Sequence, residues 1–173
     1  MTDFLTLAAE RYSCRQFTDQ PVEPEKIELV LEAAMHAPTA VNKQPWHAWV
    51  ITSPEAVAKV NDCTRFGFGA KVVIAVGAAA GEGEFWTRKY DGRGFADVDA
   101  AIVATHMMLE VQDLGLGTTW VGHFDAPALA EALPELADYD LIALFPIGYP
   151  DPAYQPAAGH TASKGKDELV SYI

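Results

Sequence analysis

Hydrophobic residues recur at a spacing of three and four in several parts of the chain, separated by polar and proline-containing stretches. That spacing places apolar side chains on one face of a helix, so it predicts four amphipathic helices. They span residues 2–11, 24–38, 53–61 and 125–133. Three residues suit N-cap positions because their side-chain oxygens can accept from the free N–H groups of a helix start: Thr2, Ser53 and Asp125. Pro24 suits a first helical turn because it has no N–H to leave unpaired.

Four shorter runs are rich in β-branched and other apolar residues, which predicts strands. They span residues 47–52, 71–79, 118–122 and 141–147. The run from Lys71 to Ala79 lacks alternation with polar residues, which is typical of a strand buried on both faces. Helices and strands are mixed along the chain rather than strictly alternating. We therefore predict a single α+β domain over residues 1–173.

One further helix is predicted from Asp97 or Asp99, as N-cap, to Leu114, with Gly115 as its stop. Its apolar residues cover nearly the whole circumference instead of one stripe. A helix that is apolar all round is buried, so this helix is expected to be central. It is long enough to pack against a second subunit as well as its own core.

The formal net charge of −12 makes nucleic acid and anionic membranes unsuitable partners. No apolar run reaches transmembrane length, and residues 1–10 lack the features of a signal peptide, so a cytoplasmic location is expected. Cys14 and Cys63 are too few for a disulfide framework and are expected to be buried thiols. The five histidines lack the spacing of metal ligands, so no metal site is predicted.

The most suggestive polar cluster is Arg11, Ser13 and Arg15. In an extended segment, alternate residues point the same way, so two guanidinium groups and a hydroxyl would face one ligand. This arrangement suits a terminal phosphate. The alternative is that both arginines pair with surface carboxylates in this acidic protein. Lys164 and Lys166 form a second basic pair, in a tail from Pro150 that we expect to dock rather than move freely.

Two connectors are also candidates for binding. The loop between Pro38 and Pro45 is stiff and carries amide and hydroxyl groups, which suits either a ligand site or an ordinary helix-to-strand turn. The irregular segment from Gly81 to Gly94 contains several aromatic residues and is expected to be a lid or a variable loop. No nucleophile elbow, complete phosphate loop or dinucleotide fingerprint accompanies them.

Several stretches, taken together and in order, resemble the signatures of the nitroreductase family. They are Arg11-x-Ser13-x-Arg15-x-Phe17 with Pro21, Ala37-Pro38-Thr39-Ala40-x-Asn42-x-Gln44-Pro45-Trp46, Leu114-Gly115-Leu116-Gly117-Thr118-Thr119-Trp120-Val121-Gly122, and Ile147-Gly148-Tyr149-Pro150 with Asp167-Glu168-Leu169-Val170. The resemblance covers almost the whole chain. It implies a central mixed or antiparallel sheet flanked by helices, in an interwoven homodimer with two flavin sites at the interface.

The resemblance further implies an FMN-dependent oxidoreductase that takes hydride from NAD(P)H. Arg11, Tyr12, Ser13 and Arg15 would hold the FMN phosphate and ribityl end. Pro38, Thr39, Ala40 and Asn42 would meet the same flavin from the partner subunit. Gly122 and His123 would lie at the isoalloxazine. From the tail, Lys164 and then His160 would approach the phosphate.

Two departures from the family pattern leave contacts open. Ser163 stands where the family often has Arg, and Arg65 is the nearest candidate for the cation that approaches the flavin pyrimidine. The flavin carries the hydride chemistry, which accounts for the missing acid–base dyad.

The resemblance implies ping-pong reduction of a nitroaromatic, a quinone or another conjugated acceptor. Within the Gly81–Gly94 segment, Phe85, Trp86 and Tyr90 have the reach to stack on such an acceptor, and Trp86 is the candidate contact. The alternative is that these aromatic residues pack the dimer surface. The alternatives are a specialised member acting on an enal, a halogenated aromatic or the flavin itself, and a non-catalytic flavin-binding or storage protein. The sequence leaves the physiological acceptor and the preference for NADH or NADPH open.

Overall fold

A computed structural model describes residues 3–173. The six α-helices of these residues are α1 (Phe4–Glu10), α2 (Pro24–Met35), α3 (Pro54–Cys63), α4 (Ala96–Asp113), α5 (Ala126–Ala132) and α6 (Lys166–Leu169). The four strands are β1 (Trp46–Ile51), β2 (Val72–Ala79), β3 (Gly117–Thr118) and β4 (Tyr139–Gly148). Short 3₁₀ turns lie at Ala40–Asn42, Pro134–Leu136 and Ala158–His160. The mixture of helices and strands confirms the α+β prediction.

The strands form one antiparallel sheet in the order β1-β2-β4-β3. Strand β2 lies between β1 and β4, and its residues are buried up to Ala78, as the unbroken apolar run predicted. On one face of β2, Ile74 and Val76 pack against α2 and α4. On the other face, Val73 and Ala75 pack against α3 and α5. The sheet is therefore the middle layer, with helices on both faces.

Helix α4 lies against the sheet and against α2, with Val103, Ala104 and Met107 fully buried. The described residues cover the rest of its circumference only in part, since Ile102, Met108 and Leu109 are half-buried. The prediction of an Asp97 or Asp99 cap was wrong. The helix begins at Ala96 with Phe95 before it, and the Asp99 backbone N–H donates to the Phe95 carbonyl, so Asp99 lies inside the helix.

Other helix starts follow the expected capping chemistry. The Ser53 hydroxyl accepts from the Ala56 N–H at 3.2 Å, and the Asp125 carboxylate accepts from the Ala128 N–H at 3.0 Å. Thr2, expected to cap α1, lies outside the described residues, and the observed cap is Asp3. No helix within residues 3–173 is long and apolar enough to cross a membrane.

The strand predicted over residues 118–122 is shorter than expected. Only Gly117 and Thr118 pair continuously with β4, and Val121 rejoins it through an isolated bridge to Leu144. Between these points the backbone leaves the ladder, and the Trp120 ring packs edge-on against Phe145 with ring centroids 5.2 Å apart. This departure from the sheet creates one wall of the candidate site.

Candidate functional site

The segment carrying the two arginines is held by β3. Ser13 forms a parallel bridge with Thr118, and the Cys14 N–H donates to the Thr118 carbonyl at 2.9 Å. The Cys14 side chain is fully buried beside Gly117, where a Cβ would lie 2.8 Å from the Cys14 sulfur. Since Cys14 points inward, its neighbours Ser13 and Arg15 point outward. Gly117 thus allows the close approach that orients the cluster.

A cavity of about 320 Å³ lies over this segment. Its lining is Arg11, Tyr12, Ser13, Arg15, Ala157, Gly159 and His160. Within residues 3–173, neither arginine has a carboxylate within 4.0 Å, since the ion pairs there involve other residues. Pairing with surface carboxylates, the alternative left open by the sequence, is therefore not observed. Two uncompensated guanidinium groups and a hydroxyl face one cavity, which is the donor set that a phosphate monoester requires.

Tyr12 joins this cavity to the C-terminal tail. Its ring stacks on Tyr154, with centroids 6.2 Å apart, and meets the His160 ring edge-on at 6.1 Å. The Tyr154 hydroxyl also donates to the Ser13 carbonyl at 3.4 Å. Burial, followed by the neighbouring Cys14 and Tyr154, raises the pKa of Tyr12 to about 12. Tyr12 is consequently a neutral hydrogen-bond donor at physiological pH, and part of the tail docks as predicted.

Gly122 and His123 lie at a second cavity, of about 210 Å³. Its lining is Arg15, Phe66, Phe68, Thr119, Trp120, Val121, Gly122 and His123. Arg15 lines both cavities, so the two are adjacent. The His123 ring packs against Phe66 at 5.6 Å, and Phe66 packs against Phe68 at 5.9 Å. The aromatic wall formed by Phe66, Phe68 and His123 therefore lies beside the cavity that contains the two arginines. A planar ligand with an anionic tail would need this arrangement.

Sequence reasoning missed this aromatic wall. Phe68 has φ +52° and the following Gly69 has φ +72°, a left-handed pair that turns the chain sharply. The alternation Phe66-Gly67-Phe68-Gly69 was the available signal, since paired glycines favour such a turn. Arg65, the candidate pyrimidine cation, lies over the Phe66 ring at 4.9 Å and lines a neighbouring open cavity that also includes His123.

The loop holding Pro38, Thr39, Ala40 and Asn42 lines neither of these two cavities. It has three non-glycine residues in the left-handed region, Val41 at φ +46°, Asn42 at +56° and Gln44 at +53°. Strained backbone of this kind occurs mostly at functional sites. Within one chain, the predicted site residues other than Lys164 thus form two separate groups, one around Arg15 and one on this loop.

Two other predicted contacts lie apart from the cavities. Lys164 is exposed and is not among the lining residues, and Ser163 uses its hydroxyl to donate to the Lys164 carbonyl at 3.0 Å. In the Gly81–Gly94 segment, Trp86 packs edge-on against Phe95 at 5.0 Å, and Tyr90 is 93% exposed. Arg88 and Asp91 form an ion pair that closes this segment on itself.

The fold and the two adjacent cavities define an α+β protein in which a cavity lined by two arginines lies next to an aromatic-walled slot. The nitroreductase family model matches residues 8–65 and 63–149, and the chain belongs to that family. An Archaeoglobus fulgidus protein, assigned as an NADH dehydrogenase/NAD(P)H nitroreductase, is 28% identical over 154 residues, covering 87% of each chain.

Solved structures agree with this assignment. A nitroreductase family protein from Clostridium difficile 630 superposes with a TM-score of 0.89 at 34% identity, covering 99% of this chain and 98% of the other. A structure described as a nitroreductase in complex with FMN, from Desulfovibrio desulfuricans, superposes with a TM-score of 0.79 at 26% identity, covering 100% and 98%. The sequence resemblance to this family and the expected fold are therefore confirmed.

Proposed function

We propose that this protein is a homodimeric, FMN-dependent oxidoreductase that takes hydride from NAD(P)H and passes it to a conjugated acceptor. One observation carries the proposal: Arg11 and Arg15, without carboxylate partners in the described chain, share a cavity with Ser13, Tyr12 and His160. Arg15 also lines the aromatic-walled slot beside it, which contains Gly122 and His123. The FMN complex of the Desulfovibrio desulfuricans relative supports the choice of ligand.

The residues present fit FMN in chemistry, because a cationic cavity lies beside an aromatic-walled one. The two guanidinium groups and the Ser13 hydroxyl would hold the phosphate, and the neutral Tyr12 phenol would add a hydrogen bond. The Phe66 and Phe68 rings would bound the isoalloxazine, with backbone groups of residues 122–123 at its edge. FMN, when bound, supplies the hydride chemistry, so the protein's own task is to bind, orient and exclude water.

A second copy of the chain would complete this site. A groove of about 670 Å³ between α1, α2 and α4 exposes Leu7, Leu29 and Leu109, with acidic and other polar residues also in its lining. Phe4 is 64% exposed and Leu5 75% exposed on the same short helix, which has no buried residue. A single chain covers neither this face nor the exposed end of the tail, residues 161–173. We propose that a partner covers them and brings its residues 38–42 to the flavin.

In the proposed cycle, NAD(P)H and the acceptor use the same side of the bound flavin in turn. Among residues 3–173, no acid–base dyad lines the two cavities, and the proposed roles of the lining residues are confined to binding and orientation. We propose a nitroaromatic, a quinone or a similar planar conjugated compound as acceptor, because the chain belongs to the nitroreductase family and such compounds can stack on the open face of a flavin ring. The cytoplasmic location expected from the sequence stays a prediction.

Anaerobic stopped-flow reduction tests the proposal. The purified full-length chain with FMN should lose its yellow absorbance when mixed with NADH or NADPH, and regain it when a quinone or a nitroaromatic is added. Protein that does not retain FMN on gel filtration would contradict the cofactor assignment. Flavin that is bound but not reduced by either nucleotide would instead favour the second candidate, a flavin-binding or storage protein.

Sedimentation equilibrium tests the dimer. The protein should sediment at about twice the mass of one 18.7 kDa chain at micromolar concentration. Leu109→Glu places a charge on the half-buried groove face of α4 and should shift the protein toward monomer with loss of FMN. Val50→Glu, on an exposed position of β1 outside that groove, is the matched control. A wild-type monomer that retains FMN would overturn the proposed shared site.

A further inference from the structure

Asp99 is a buried carboxylate on the first turns of α4, only 2% exposed. Its Oδ1 accepts a hydrogen bond from the Ala40 backbone N–H at 3.0 Å. Its Oδ2 has no hydrogen-bond partner among the described residues. The Ala40 N–H is therefore the one hydrogen-bond partner that the described chain provides for a polar side chain that is costly to bury.

Ala40 begins the 3₁₀ turn Ala40–Asn42, in the strained loop of residues 38–44. Most hydrogen bonds of this loop are internal: the Thr39 hydroxyl accepts from the Gln44 N–H at 3.0 Å, and the Thr39 carbonyl accepts from the Asn42 N–H at 3.0 Å. These bonds shape the turn, but they do not attach it to the rest of the protein.

Two hydrogen bonds, in the part of the chain that the structure describes, tie residues 38–44 to distant segments. One is Asp99 to Ala40, and the other is Lys43 Nζ to the Gly83 carbonyl at 2.9 Å. The lysine contact is exposed and ends on an irregular segment, so it holds the loop weakly. The Asp99 contact is part-buried, with Asp99 itself almost fully enclosed, and it ends on the longest helix of the sheet-packed core.

We propose that Asp99 is the positioning residue of the loop, holding Ala40 and its strained neighbours in the conformation that meets the flavin. The Asp99 oxygen accepts from the Ala40 N–H, which has no partner inside the 3₁₀ turn, and so ties the start of the turn to α4. This inference rests on the proposed function for its link to FMN. The anchoring of the loop itself is independent of any ligand.

Amide hydrogen exchange on the full-length chain, with and without added FMN, tests the anchor directly. Asp99→Ala should raise exchange at residues 40–43 at least tenfold while the core of α4 keeps its protection. Asp99→Asn retains an acceptor oxygen and should restore most of that protection. Asp97→Ala removes an exposed carboxylate from the same turn and should match wild type.

FMN titration monitored by flavin fluorescence provides the second readout, with about a tenfold weaker Kd expected for Asp99→Ala. Wild-type loop exchange in Asp99→Ala, or equal exchange in the Asn and Ala variants, would overturn the anchoring role. Exchange that rises throughout α4 would also overturn it, since Asp99 would then be a general core residue. If wild type fails to bind FMN, the proposed function fails, while the exchange measurement still decides the anchor.

Discussion

Replacing Arg15 with Ala is the most direct perturbation of the candidate phosphate site. Arg15 is exposed, and its side chain makes one hydrogen bond in the described chain, from Nη1 to the Ser13 carbonyl at 3.2 Å. It has no carboxylate partner within 4.0 Å among residues 3–173. Folding therefore gains little from this side chain, and the substitution should change the free energy of unfolding by no more than about 0.5 kcal/mol.

Binding should respond much more strongly than folding. A hydrogen bond to a charged group contributes about 1.5–3 kcal/mol, and about 1.4 kcal/mol corresponds to tenfold in Kd. Loss of one guanidinium contact should therefore weaken FMN binding by roughly 10- to 150-fold. Arg15→Lys keeps the charge without the planar fork and should fall between Ala and wild type.

Flavin content after dialysis, followed by fluorescence titration of the stripped protein, measures this effect. Arg93→Ala is the matched control, since it removes an exposed arginine that lines neither cavity. The loss of FMN affinity caused by Arg15→Ala should also become smaller as the salt concentration rises, because dissolved ions screen the attraction between Arg15 and the phosphate. Unchanged flavin occupancy after dialysis, at an unchanged melting temperature, would refute Arg15 as a phosphate ligand.

Three further substitutions follow from the structure. Gly117→Ala places a Cβ 2.8 Å from Cys14 and should lower the free energy of unfolding by about 1–3 kcal/mol, with weaker FMN binding. Gly122→Ala is the control, because its added Cβ would meet no atom closer than 3.7 Å. Equal stabilities of the two variants in urea unfolding would contradict this prediction. Burial and the neighbouring Asp113 and Glu32 raise the pKa of Glu110 above its ordinary value of 4.5. Between the ordinary and the raised pKa, the native state holds a proton that the unfolded chain has released. The free energy of unfolding should therefore fall as the pH rises through this interval. Glu110→Gln should remove that slope, and a pH series of melting temperatures would show whether it persists. Trp86→Ala should change kcat/KM for the acceptor with FMN affinity near wild type, and proportional loss of both would remove Trp86 from acceptor binding.

The local features were readable from residue order alone. Ser53 and Asp125 start helices because their side chains accept from N–H groups three residues on, a contact that needs no distant partner. The apolar run of β2 predicted burial on both faces because side chains alternate between the two faces of a strand and none of these residues is polar. The alternation of Arg11, Ser13 and Arg15 predicted a common orientation, which β3 pairing produces.

What depended on the tertiary structure were the contacts between residues far apart in sequence. Asp99 was predicted as a helix cap because local spacing favours that role, but folding brings Ala40, 59 residues away, to its carboxylate. Phe68 likewise joins His123 at one cavity only because the chain turns at Gly69 and leaves the sheet after Thr118. Such pairs carry no fixed spacing, because the sheet register and helix packing, not the local chain geometry, set which residues meet.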